Sequence, residues 1–358
     1  MKRQRMLISG VLLLCLILQS CHRGSIVHRK LFVPDEFPTL EEALKIAVSG
    51  DTIIVGPGRY SISSKGISIT QEKLTLRSAL GAKETILMGT GNGPVVSFGK
   101  DCQAVFDGFT VMGSDPNREC PLKGGGILCD SYSSPTIINS SIRDNKAQFG
   151  GGIYCAPSSS PSILQNTISD NQATVLGGGI FSFHASPKIM KNRIIRNTAH
   201  FGAGLFCNAD KALIQNNFIV ENKALHSGGG CSCIDSSATL VNNTLARNHA
   251  SFGGGIFGSA GEFQVLNTIL WGNQDDLCLI DFKMLSRPRF SDIQDADYLG
   301  INGNISQDPL FIDPNQGDYR LSPESVCHHA GDSQKMYNNP DSSRNTIGAQ
   351  GGPEAFTF

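Results

Sequence analysis

The sequence is poor in charge. Of its 358 residues only 17% are Asp, Glu, Lys or Arg, too few for a polyelectrolyte tail or a chain held open by self-repulsion. A surplus of positive charge is also missing. Thirty basic residues face 31 acidic ones, a formal net charge of −1, which excludes a basic nucleic-acid footprint. Aromatics are scarce at 7%, with a single Trp. Past the N-terminus no apolar run approaches the roughly 18 residues of a membrane-spanning helix. Glycine is what the chain has in excess. Its 40 Gly follow no Gly-X-Y period, so they point away from collagen and towards many tight turns.

The first residues read as an address. Lys2, Arg3 and Arg5 precede an apolar stretch at 7–18 that is too short to span a bilayer comfortably. It ends in Leu18-Gln19-Ser20-Cys21, which resembles a bacterial lipobox. The resemblance implies that 1–20 is a lipoprotein signal peptide, that Cys21 is lipidated, and that 21–32 is a tether. The alternative is an ordinary secretory signal with a chance Cys. Both readings mean export. His22 stands where an inner-membrane retention Asp would be, so the expected place is the cell envelope, at the outer membrane or cell surface. Loss of the three basic residues leaves 27 basic against 31 acidic residues.

The middle of the chain keeps a beat. Gly-rich triplets begin at Gly124, Gly150, Gly177, Gly202, Gly228 and Gly253, in steps of 26, 27, 25, 26 and 25 residues. An Asn keeps the same beat at Asn145, Asn171, Asn197, Asn222, Asn248 and Asn273, within a motif such as Asn166-Thr167-Ile168-Ser169-Asp170-Asn171. A fixed period of this length marks a solenoid. The residues between are short runs of β-formers, and no repeat carries a helical pattern, so helical repeats and leucine-rich horseshoes fit poorly. Three short strands and three turns fill one rung of a right-handed parallel β-helix, an all-β fold. Rungs stack about 4.8 Å apart, so a buried Asn can donate and accept between rungs as a structural ladder. Ile142, Ile168, Ile194, Ile219, Leu245 and Ile269 are expected to form one inward stack.

With these ladders the chain resembles the pectin-lyase-like superfamily. The segment from Val33-Pro34-Asp35 through Gly50-Asp51-Thr52-Ile53-Ile54-Val55 is similar to that family's opening. Thr39 and Glu42 form a capping box, and Leu40, Ala43, Leu44 and Ala47 one apolar helix face. A cap helix at about 39–48 would cover the open end of the solenoid. The solenoid is expected over 33–273, with regular rungs at 107–273 and irregular rungs and a cap at 274–358. That last part, with Asp308-Pro309-Leu310-Phe311-Ile312-Asp313-Pro314 and Gly317-Asp318-Tyr319-Arg320-Leu321, resembles the choice-of-anchor ending of bacterial surface β-helix proteins. It departs from that ending at Cys327-His328-His329.

Several groups could carry chemistry. Asp144 and Asp170, with Arg196 next in the column, stand just before ladder Asn residues. The resemblance implies Ca²⁺ held by Asp residues and an Arg or Lys base for lyase chemistry, so these three are the candidate catalytic residues, with Ca²⁺ as cofactor if the protein is a lyase. The simpler reading is an exposed, charge-compensated ladder. Tyr154, Phe181, Phe206 and Phe257 could face outward as a stripe on which sugar rings stack. Cys129, Cys155, Cys207 and Cys233 share one rung position, so Cys129–Cys155 and Cys207–Cys233 lie within disulfide range. Cys231-x-Cys233 lacks the usual zinc spacing, and no metal site is assured. His200, His226, His249, His328 and His329 read as surface residues. Taken together, the expectation is an exported, lipid-anchored, monomeric β-helix that binds a polysaccharide or acts as an adhesin or scaffold. The alternative is a lyase or hydrolase of acidic glycans. A purely structural envelope protein is the third reading.

Overall fold

The computed structural model describes residues 28–90, 92–113, 122–209, 211–280 and 287–356. The leader, Cys21 and most of the tether lie outside them. The chain winds into a parallel solenoid whose rungs run through four sheets. In one rung, Thr136–Ile138 lies in the first sheet, Ser141–Arg143 in the second, Lys146–Phe149 in the third and Ile153–Cys155 in the fourth. The first, second and fourth sheets hold 10, 10 and 9 strands, and the third holds 4. Every neighbouring pair in these sheets is parallel and separated by one turn of the chain, as Ile142↔Ile168 and Ile127↔Ile153 show.

The first strand, Lys30–Val33, takes in the end of the segment assigned to the tether and pairs with Thr52–Val55. Between them Leu40–Ile46 is helical. Thr39 Oγ1 accepts from the Glu42 N–H at 3.2 Å, and Leu40, Ala43 and Leu44 are buried against the end of the core. Asp51, fully buried, is gripped by the Arg29 guanidinium and accepts from the backbone of Arg29 and Val48, which holds its carboxyl down at about 2.

Glycines make the corner between the third and fourth sheets. The first of each triplet sits in the left-handed region, φ 64° at Gly150 and 67° at Gly177. The third is pressed against the next rung: a Cβ on Gly179 would lie 2.6 Å from the Gly204 carbonyl oxygen. At the corner between the second and third sheets the ladder closes inside the turn. Asn197 donates through Nδ2 to Ile168 O at 2.9 Å and to Asn222 Oδ1 at 3.0 Å. Its own Oδ1 accepts from the N–H and Nδ2 of Asn171. A second ladder runs through Asn166, Asn192, Asn217 and Asn243 at the preceding corner.

The inward stack differs from expectation at its end. Leu245 pairs with Leu270, and Ile269 pairs with Thr244 on the outward side. Asn267-Thr268-Ile269 imitates the motif but is displaced by one residue, and Thr268 stands where the ladder Asn would be, its Oγ1 facing the Asn243 N–H at 3.4 Å. A one-residue slip moves every side chain to the other face.

After Asn273 the chain adds Leu277–Ile280 and Asp292–Ile293 to the fourth and second sheets, then turns back. An antiparallel hairpin, Phe311–Asp313 with Asp318–Leu321, and the segment to 356 lie along the outer face of the second sheet. Tyr319 packs there with Phe218, Val220 and Ala246, and Ile269 packs with Leu321, Cys327 and Ile347. Corner asparagines hold this return: Asn216 donates to Ala349 O and Gly351 O, and Asn242 to Asn345 Oδ1. Among the described residues no helix is long and apolar enough to cross a membrane.

Candidate functional site

Asp144, Asp170 and Arg196 lie in one column at the corner between the second and third sheets, each in the left-handed conformation with φ 55°, 57° and 52°. All three are exposed. The stacking brings Asp170 to Arg196 on the next rung. Arg196 Nε and Nη2 contact the two Asp170 oxygens at 2.8 and 2.9 Å, and Arg143 Nη1 contacts Asp144 at 2.6 Å. Asp170 pushes the Arg196 guanidinium further up from its ordinary value, the direction opposite to that needed in a base. Further along the column, Glu221 accepts from the Tyr319 hydroxyl at 2.7 Å. Arg247 donates to Pro314 O at 3.0 Å, so the returning C-terminal segment covers that end.

Tyr154, Phe181 and Phe206 form one outward column in the fourth sheet, with Leu128 before them and Ser232 and Phe257 after. They point away from the bore, yet Tyr154, Phe181 and Phe206 are only 3%, 5% and 7% exposed. They do not offer the open stacking stripe the sequence suggests. The Gly corner folds the ends of the third-sheet strands against them, so Phe149, Leu176 and Phe201 cover the column. The rings interlock, with centroids 5.2 Å apart for Tyr154–Phe181 and 5.6 Å for Phe181–Phe206. At one rung both columns carry Ser instead, Ser227 and Ser232, and the seam opens there. A groove of about 320 Å³ results, bordered by Phe201, Phe206, His226, Ile234 and Phe257. Phe252 stands beside it, 49% exposed, with its ring 5.5 Å from that of His226. His226 lies one rung on from His200, a spacing visible in the sequence, but its place in this groove is not.

Inside the bore, Cys129 pairs in register with Cys155 and Cys207 with Cys233, all as buried thiols. Cys231, two residues before Cys233, joins the second pair. The three sulfurs of Cys207, Cys231 and Cys233 lie within 4.8 Å of one another. Among the described residues this is the one group of three or more His, Cys, Asp or Glu so placed. The spacing in sequence conceals it, because Cys207 comes from the rung before.

Two buried carboxyls near the C-terminal end escape sequence reading. Asp276 accepts from Asn273 Nδ2 at 2.8 Å and the Gln294 N–H at 3.0 Å. Asp292 accepts from the Gln307 N–H and the Cys327 thiol, both at 3.1 Å. Burial pushes both up to about 6. Burial beside Asp292 also pushes the Cys327 thiol up, which disfavours the reactive thiolate. His328 is held by the Ser322 carbonyl at 2.9 Å.

Comparisons with known proteins place the fold. The family model described as "Right handed beta helix region" matches residues 91–250. Comparison with curated proteins finds no match. Of the solved structures, the crystal structure of pectate lyase Pel9A is similar over 90% of this chain and 96% of its own, with 13% identity and a TM-score of 0.54. A chain described as Geobacillus virus E2 ORF18 aligns over 66% of this chain and 52% of its own, with 12% identity and a TM-score of 0.27. The parallel register, the roughly 26-residue rungs and the match to that family model make the fold of this chain a right-handed parallel β-helix, the fold that the lyase structure shares.

Proposed function

We propose that the protein is an exported, lipid-anchored β-helix of the cell envelope that binds a polysaccharide without cleaving it. The leader and Cys21 support export and anchoring. The observation that carries binding is the groove at the Ser227–Ser232 rung, where Phe201, Phe206 and Phe257 border an apolar floor, His226 supplies a polar group and Phe252 stands beside it against the His226 ring. Sugar rings present an apolar face to such rings and hydroxyls to such a polar rim. The engaged state of Asp170 with Arg196 argues against cleavage there.

The test uses the chain from residue 22 onward, incubated with immobilised acidic and neutral polysaccharides, with and without Ca²⁺. Retention that falls at least tenfold in Phe252→Ala, with no unsaturated uronate or new reducing ends, supports the reading. Product formation that disappears in Asp170→Ala would instead make the protein a lyase acting through Asp144, Asp170 and Arg196. Absence of retention and of product would leave a structural envelope protein. Anchoring is tested separately by lipid labelling of the full chain and its loss in Cys21→Ala.

A further inference from the structure

We propose that Cys207, Cys231 and Cys233 form a three-sulfur site for a soft monovalent d¹⁰ cation, copper(I), inside the bore of the solenoid. Cys231 and Cys233 alternate with Ser232 on one strand, so both side chains point inward. Cys207 reaches them from the neighbouring strand in register with Cys233. The Cys231 and Cys233 sulfurs are 3.6 Å apart and all three lie within 4.8 Å. With a bond of the length zinc makes to thiolate, about 2.3 Å, a trigonal site sets its sulfurs roughly 4 Å apart. The three side chains therefore need small rotamer adjustments and no backbone movement to converge on one ion.

Two observations argue that this is more than a ladder of small thiols. First, Cys231 interrupts an inward column that is otherwise aliphatic. From Ile67 to Leu277 every other paired position in that column is Ile, Leu or Val. Packing alone favours a branched aliphatic at 231, and the one sulfur in the column falls where it meets two others. Second, Ser182 is in register with Cys207 on the rung before, fully buried, and its hydroxyl has no hydrogen-bond partner. A buried hydroxyl without a partner is costly. Turned towards Cys207, this hydroxyl would donate to a thiolate there, the kind of outer contact that commonly steadies a metal ligand.

The ligand set chooses the ion. Soft thiolates select copper(I), zinc or iron–sulfur clusters. Structural zinc takes four ligands in a tetrahedron, and among the described residues no further His, Cys, Asp or Glu joins these three sulfurs. Copper(I) accepts three. Each thiol that binds gives up its proton to solvent, and the copper stays in its +1 state throughout. Enclosure on all sides means that the ion enters as the rungs close during folding.

The chain from residue 22 onward is refolded from urea without oxygen, with copper(I) supplied under competition from a chromophoric copper(I) chelator. One copper per chain is expected, with X-ray absorption showing sulfur neighbours only. Cys231→Val restores the aliphatic column and should fold. It is expected to weaken copper retention at least tenfold, while Cys155→Ser leaves it unchanged. Equal retention by Cys231→Val and the parent would overturn the site. So would a disulfide among the three cysteines, found by peptide mapping of chain isolated without reductant.

Discussion

The asparagine ladder makes a graded prediction. Substitution in its middle should cost far more than substitution at its first rung, although both residues are buried and identical. The Asn197 side chain makes four bonds: it donates to Ile168 O and Asn222 Oδ1 and accepts from Asn171 N and Nδ2. Alanine there removes all four and takes the acceptor from the Asn171 N–H. At about 1 kcal/mol net for each bond and about 1–3 kcal/mol for a buried donor left without a partner, Asn197→Ala should lose about 5 kcal/mol. Asn145 starts the ladder. It donates to Val111 O, Arg143 O and Asn171 Oδ1, but its own Oδ1 has no partner. Asn145→Ala deprives no N–H of its acceptor and removes a buried oxygen that is already unsatisfied. Its loss should be about 2 kcal/mol. The assay is urea unfolding followed by far-ultraviolet circular dichroism, comparing midpoints at a common slope. Equal losses for the two variants would refute the view that stability is carried by the directed amide chain.

Other predictions address separate parts of the molecule. The carboxyls of Asp276 and Asp292 are raised to about 6 in the folded chain from an ordinary value of 3.8. The folded state thus holds protons that the unfolded state has released, and stability from this source is full below about pH 4 and lost as pH rises through about 6. Asp292→Asn should flatten that slope in a series of thermal melts between these limits. Gly179→Ala should destabilise by several kcal/mol or prevent folding, because its Cβ meets the backbone of the next rung. Tyr319→Phe removes the hydroxyl that donates to Glu221 and should cost about 2 kcal/mol in the same melts. Arg196→Ala breaks an exposed pair and should shift stability by less than about 1 kcal/mol.

The rungs were legible because each repeats one physical demand. A turn that closes over a backbone needs Gly, a corner buried between rungs needs an amide that both donates and accepts, and the bore needs aliphatics at fixed offsets. The ladder positions Asn145 to Asn273 all lie where the period puts them, each bonded to the next. Three features were less legible, for one reason: they depend on how surfaces meet rather than on a local pattern. Alternation shows that Tyr154 and Phe181 point outward, but their burial depends on the Gly corner bringing Phe149 and Leu176 over them. Ile269 follows a copy of the motif, and only the fixed position of Asn273 shows the copy to be displaced. The sulfur trio needs a residue from an adjacent rung, which spacing within one strand cannot supply.

The C-terminal return decides which surface remains for a ligand. It has no period, and its anchors lie about a hundred residues away in sequence, as in Asn242 with Asn345 and Tyr319 with Glu221. By covering the outer face of the second sheet it buries Phe218 and Val220, which would otherwise be an exposed apolar patch, and it takes Glu221 and Arg247 out of the charged column. The remaining members of that column, Asp144, Asp170 and Arg196, neutralise one another or their neighbours. The seam between the third and fourth sheets lies away from this cover. There the interlocked aromatics leave one rung unfilled, because Ser227 and Ser232 replace large side chains in both columns at once. A single substitution would have left a dimple closed by its neighbours. Two on the same rung leave a groove bordered by Phe201, Phe206 and Phe257. Filling it should therefore test ligand binding with little risk to the fold. Ser232→Phe continues the column of Phe206 and Phe257, so it should preserve or raise thermal stability while abolishing polysaccharide retention. Unchanged retention in a folded Ser232→Phe chain would place the binding surface elsewhere on the solenoid.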